Sequence, residues 1–129
     1  MREILFRGKR TDNGEWVYGM PCATEQSGIY AIQTLQGGIF DVIPDTVGQY
    51  TGLTDKNKNG KKIFEGDILE FSDRLVEVFW HAHLGCWDCN FLQFTNKENS
   101  RDDMSPRSWK WKSKVIGNIH DNPELLKGE

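Results

Sequence analysis

Between residues 81 and 89 the chain reads His81-Ala82-His83-Leu84-Gly85-Cys86-Trp87-Asp88-Cys89, with two imidazoles and two thiols close together. Imidazole nitrogen and thiolate sulfur are the donors that tetrahedral zinc prefers, so His81, His83, Cys86 and Cys89 form a candidate N₂S₂ ligand set. On a strand His81 and His83 face the same way, and Gly85 permits the turn that would bring the cysteines back toward them. The competing reading leaves both imidazoles exposed and uses the cysteines as small packing residues. Cys86 and Cys89 also have a redox spacing, but the βαβ surroundings of a thioredoxin-like motif are missing.

Arg107-Ser108-Trp109-Lys110-Trp111-Lys112-Ser113-Lys114 is the one stretch that combines basic and aromatic residues. As a strand it would place Trp109 and Trp111 on one face and Lys110, Lys112 and Lys114 on the other. The tryptophans then belong to a core, and the lysines either protect an edge from strand pairing or, with Arg107, act as a comb of cations along a phosphate backbone. Nucleic-acid binding of that kind contacts phosphates rather than bases and weakens steeply with salt. In Glu65-Gly66-Asp67-Ile68-Leu69-Glu70 the first two carboxylates share a strand face. They suit an acid/base pair or a divalent-cation clamp, while the bland alternative has glycine bending the chain and Asp67 accepting backbone N–H groups. No His, Lys or Ser nucleophile stands beside them in sequence, so no catalytic residue is assigned. A metal-dependent enzyme using the His/Cys set with Glu65 or Asp67 as base is the remaining enzymatic alternative.

These groups need a scaffold, and the composition says of what kind. The 129 residues are 37% hydrophobic and 27% charged, with 13 glycines and 4 prolines, which is the make-up of a folded globular protein. Sixteen Lys+Arg against nineteen Asp+Glu give a formal charge of −3, which excludes a histone-like, nonspecific grip on nucleic acid. The opening Met1-Arg2-Glu3-Ile4-Leu5-Phe6-Arg7 brackets a three-residue apolar run with charges, too short for an export signal. No apolar run approaches the ~20 residues of a membrane span. Three cysteines, an odd number, predict reduced thiols in a cytoplasmic protein.

Residues of β-branched and aromatic type outnumber Ala and Leu roughly three to one, so the expected fold is mainly β. Ile4 and Phe6 alternate with Glu3, Leu5 and Arg7, Asp12-Asn13-Gly14 turns the chain, and Glu15-Trp16-Val17-Tyr18 returns it, predicting a hairpin closed by a tight Asn-Gly turn. A second hairpin joins Ile29–Leu35 to Ile39–Val42 through Gln36-Gly37-Gly38. After the polar loop Thr54–Lys62 come strands at Ile68–Phe71, Leu75–His83 and Trp87–Phe94, a polar stretch over 96–107, and a pair of short strands within Trp109–Ile119. Asp121-Asn122-Pro123-Glu124-Leu125-Leu126 predicts a short C-terminal helix, with proline at its first position and an acid in its first turn. Small antiparallel sheets and hairpins follow, in a barrel or sandwich, divided as an N-terminal hairpin lobe over 1–50 and a second lobe over 51–129.

Thr46-Val47-Gly48-Gln49-Tyr50-Thr51-Gly52-Leu53-Thr54-Asp55, the following Gly60-Lys61-Lys62-Ile63-Phe64-Glu65-Gly66-Asp67-Ile68 and Val115-Ile116-Gly117-Asn118-Ile119-His120-Asp121-Asn122-Pro123-Glu124-Leu125-Leu126 resemble the YopX family of small phage and prophage proteins. Phe6-Arg7-Gly8-Lys9 and Gly14-Glu15-Trp16-Val17-Tyr18-Gly19 are similar to that family's amino-terminal hairpin. The resemblance implies a β-rich fold with an SH3-like barrel in its C-terminal part, and it brings no catalytic residues. The function expected on these grounds is non-enzymatic binding or assembly with a protein partner or nucleic acid. Exposed strand edges and a terminal helix too short to stand alone predict a homo-oligomer.

Overall fold

The computed structural model describes residues 3–23, 30–56, 60–71, 73–95 and 113–126. Its strands are β1 (Phe6–Lys9), β2 (Trp16–Ala23), β3 (Tyr30–Thr34), β4 (Ile39–Asp41), β5 (Gly48–Thr54), β6 (Lys62–Phe64), β7 (Asp67–Phe71), β8 (Arg74–His81), β9 (Cys86–Phe94) and β10 (Lys114–Asn118). The fold is mainly β and the strand pairs are antiparallel. The chain divides into compact units at residues 1–50 and 51–129.

In the first unit β1 lies between β2 and the start of β5, with β3 and then β4 continuing beyond β2. Ala31, Ile32 and Val42 are fully buried, and Leu5 and Tyr50 are buried as well. The first hairpin closes on the four residues Thr11–Gly14 rather than on a two-residue Asn-Gly turn. Arg10 N–H bonds the Glu15 carbonyl, Gly14 N–H bonds the Arg10 carbonyl, and Asn13 Oδ1 takes the Glu15 N–H. Only Gly14 has a positive φ, so the pair of left-handed residues that a tight two-residue turn requires is not formed. The β3–β4 hairpin turns through Leu35–Gly38, closed by Thr34 N–H on the Gly38 carbonyl.

In the second unit the sheet order is β10-β7-β8-β9, and β6 runs beside the end of β5. Alternation sends Leu69, Phe71, Val76, Val78, Trp87 and Val115 into one core with Ile63, against which Leu53 and Cys89 pack. Arg74 lies between the rings of Phe71 and Phe94, its guanidinium carbon 5.8 and 5.7 Å from their centroids. β10 and β9 are the outer strands of this sheet, so among the described residues the SH3-like barrel does not close. The segment read as a C-terminal helix is a 3-10 turn, Pro123–Leu126, too short to hold itself, and Gln93 Nε2 donates to the Leu125 carbonyl to fix it. The polar stretch over 96–107 and the first of the short strands expected in 109–119 fall outside the described residues.

Buried polar side chains fix the connections. Asp55 is 5% exposed, and its carboxylate accepts N–H bonds from Lys61 at 2.9 Å and Val115 at 3.0 Å. Lys56 N–H bonds the Ser113 carbonyl alongside. Asp67 is 2% exposed and takes the Phe64 N–H at 2.7 Å, across the bend at Gly66, whose φ of +89° requires glycine. Asp55→Ala leaves two backbone donors of the second unit without their acceptor. It is expected to lower the stability of this unit by about 2–4 kcal/mol, with Asp55→Asn, which keeps one acceptor oxygen, losing about half of that, as read from urea unfolding followed by near-ultraviolet circular dichroism.

Candidate binding surface

The first unit offers its side chains through the β1–β2 register, which sets Arg7 opposite Tyr18 and Lys9 opposite Trp16. All four share one face. The Arg7 guanidinium carbon lies 4.6 Å from the centroid of the Trp16 ring, and the Lys9 ammonium lies 5.8 Å from it. Arg7 is buried by this stacking, while Tyr18 and Met20 further along β2 are close to half exposed. β3 pairs with β2 only from Gly19 onward, and there the two backbones meet closely. A Cβ on Gly19 would collide with the Gln33 carbonyl oxygen. Beyond that point the chain leaves β2 and opens a hollow of about 280 Å³, lined by Trp16, Val17, Tyr18, Thr34, Leu35 and Gln36. Leu35, at 84% exposure, forms its rim. Trp16, Val17, Tyr18 and Leu35 give the hollow a largely apolar lining with no charged residue, so it suits a hydrophobic side chain from a partner better than a charged substrate.

The hairpin β8–β9 carries the His/Cys group. His81 stands directly opposite Cys86, and its Nδ1 accepts the Leu84 N–H at 3.2 Å, which ties that nitrogen to the turn. The rings of His81 and His83 are 6.3 Å apart, and His83 is exposed in the loop. Cys89 pairs with Val78 on the core face, whereas Cys86 shares the other face with His81. Three positions apart on one strand, the two cysteines point in opposite directions. The structure brings His81 and Cys86 together and holds Cys89 apart. Among the described residues no three His, Cys, Asp or Glu side chains gather where they could hold a metal ion.

Of the basic comb, Lys114 lies exposed on β10 opposite Glu70. Arg107, Lys110 and Lys112 lie outside the described residues, as do Trp109 and Trp111. Glu65 and Asp67 do not form an acid/base pair free for substrate, because Asp67 is committed to the Phe64 N–H in the core. No helix among the described residues is long and apolar enough to cross a membrane.

A family model described as YopX protein matches residues 5–127. The chain belongs to the YopX family. No curated protein matches it. Within this YopX chain the stretches that carry the resemblance serve the backbone. Asp55 and Asp67 do so as described above. Asn118 Oδ1 accepts the N–H groups of His120 and Asp121, and Asn118 N–H donates to Asn122 Oδ1. The face built from Trp16, Tyr18 and Met20 escaped sequence reasoning, although its signal was there: aromatic and apolar residues at every second position of β2, with Arg7 and Lys9 at every second position of β1.

Burial, reinforced by the Asp88 carboxylate, pushes the Cys89 thiol up to about 12. Cys89 is therefore expected to resist iodoacetamide at pH 8 in the native protein and to react at its ordinary rate once the protein is unfolded, as mass mapping of the labelled peptides will show. Burial also raises the Glu77 carboxyl above its ordinary value. The native state then binds this proton more tightly than the unfolded state, so stability declines as pH rises from the ordinary glutamate value through the raised one. Glu77→Gln removes that decline. The variant should melt slightly higher than the parent at pH 7, with the difference vanishing in acid below the ordinary glutamate value.

Proposed function

We propose that this chain is a non-enzymatic binding or assembly module of a phage or prophage, and that it engages a protein partner through the Trp16, Tyr18 and Met20 face of its first unit. The observation that carries this reading is the pairing of exposed aromatic and apolar side chains with an adjacent hollow on a strand-paired scaffold. Aromatic anchors of this kind supply large contact area at low entropic cost, and they dominate the energetics of protein interfaces. The polar residues of the family motifs support the same reading, since Asp55, Asp67 and Asn118 accept backbone N–H groups and are not offered to a substrate.

The test is a double variant, Tyr18→Glu with Met20→Glu, at two exposed positions where charge leaves the core untouched. Tagged parent and variant, matched for melting temperature, are compared by quantitative capture from phage-bearing cells. A partner bound by the parent should fall at least about tenfold with the variant, the effect of burying carboxylates against an apolar surface. Equal recovery with both proteins would remove the face from consideration.

A further inference from the structure

Among the described residues β9 is an outer strand, and its nine residues, Cys86-Trp87-Asp88-Cys89-Asn90-Phe91-Leu92-Gln93-Phe94, form the longest open edge. The other outer strands are short: β4 and β6 have three residues each and β10 has five, led by Lys114. Outer strands are normally kept from pairing by lysine, by proline or by brevity. β9 has none of these; its one charge, Asp88, folds its carboxylate onto the outward Cys89 N–H at 2.8 Å. Phe91, 53% exposed, stands on it beside the buried Trp87 and the half-buried Cys89.

We propose that β9 pairs with β9 of a second copy of this chain, antiparallel and about a twofold axis at Cys89. Charge and shape select this register. An axis at Asp88 sets two carboxylates against each other. An axis at Asn90 sets Asp88 against an apolar leucine and runs the pairing through the irregularity near Leu92, where the β8–β9 register shifts. An axis at Cys89 sets Asp88 against Asn90 of the partner subunit, a carboxylate against an amide that donates to it, and it does so twice by symmetry. The same register sets the exposed Phe91 against Trp87 of the partner subunit, covering the largest apolar surface on the strand. At the axis the outward Cys89 N–H exchanges the Asp88 carboxylate for the Cys89 carbonyl of the partner subunit, which frees Asp88 for Asn90 of the partner subunit, and a self-complementary strand makes the second copy its natural occupant. This surface belongs to the second unit, and the proposal stands whether or not the first unit's face binds a partner.

The test rests on the Asp88–Asn90 pairing. Sedimentation equilibrium should give a dimer for the parent protein. Asn90→Asp, which sets carboxylate against carboxylate at both pairs, should weaken the dimer on the order of tenfold, whereas Asn90→Lys, which sets an ammonium against Asp88, should tighten it. Both changes are at an exposed position. Independently of any variant, amide exchange across residues 86–92 of the parent should slow as concentration rises through the dissociation constant, with no such change in β4 or β10. A monomer at the highest concentration reached, a shift in the same direction for both variants, or concentration-dependent protection that avoids β9 would each overturn the proposal.

Discussion

A carboxylate taken out of water is costly unless its lone pairs find donors, and Asp55 meets that condition in a way that organises the second unit. Its two oxygens take backbone N–H groups from Lys61 and from Val115, which is 60 residues further along the chain. Those donors lie where β6 and β10 begin, and the Val115 N–H goes to this carboxylate although Val115 itself is paired with Leu69 on β7. One side chain therefore joins the end of β5, the approach to β6 and the start of β10, with the Lys56–Ser113 backbone bond beside it. With β10 held there, Val115 pairs with Leu69 and closes the core formed by Ile63, Val76, Val78 and Trp87. Loss of the carboxylate would cost more than two hydrogen bonds, because the register of β10 on β7 depends on where its first residues are held.

The same device recurs at other turns of this unit among the described residues. Asp67 holds the Phe64 N–H across the bend at Gly66, and the Gly66 N–H and carbonyl in turn bond the Val78 carbonyl and the Ile119 N–H. Asn118 and Asn122 fold the last described residues back, and Gln93 ties the final turn to β9. The residue types that suggest chemistry, carboxylates and amides flanked by glycine, are also those that satisfy backbone donors in tight turns. In a small unit with short strands, many N–H groups fall outside ladders, and the motifs of the family lie where those groups need acceptors.

This explains what could be read from the sequence. The β-rich composition, the two N-terminal hairpins and the strands at 68–71, 75–83 and 87–94 follow from alternation and turn residues, which are local properties, although the second of these strands ends at His81, where residues 82–85 turn. The length of the first turn was not legible, because the bonds at Arg10, Glu15 and Asn13 compete with the Asn-Gly preference. A two-residue turn would set Lys9 opposite Tyr18, whereas the four-residue loop sets it opposite Trp16, on the same face but two residues away. The stacking of Arg7 and Lys9 on Trp16 depends on that shift. The His/Cys group shows the complementary limit. Spacing alone grouped four ligands, but strand parity sends Cys86 and Cys89 to opposite faces, and only the β8–β9 register reveals that Cys89 belongs to the core. The barrel was an implication of resemblance, and closure depends on long-range strand contacts that local pattern does not encode.

Both surfaces argued for here have rigid supports, which bears on what they can bind. Trp16 is fixed by the cations stacked on its ring, and β9 is fixed by Trp87 and Cys89, whose side chains are packed toward the core while the strand's outer edge faces away from β8. A partner that meets either surface orders little of this chain on binding, so the contact energy is not consumed by freezing loose side chains. The two surfaces nonetheless recognise differently. A strand edge offers main-chain donors and acceptors that any extended segment can match, so its selectivity rests on the few side chains that set register, here Asp88, Asn90, Phe91 and Trp87. The face on the first unit has no main-chain code and selects by shape, through the hollow between Tyr18 and Leu35. A module with one surface of each kind can pair with its own kind by backbone complementarity while reserving side-chain recognition for a different protein.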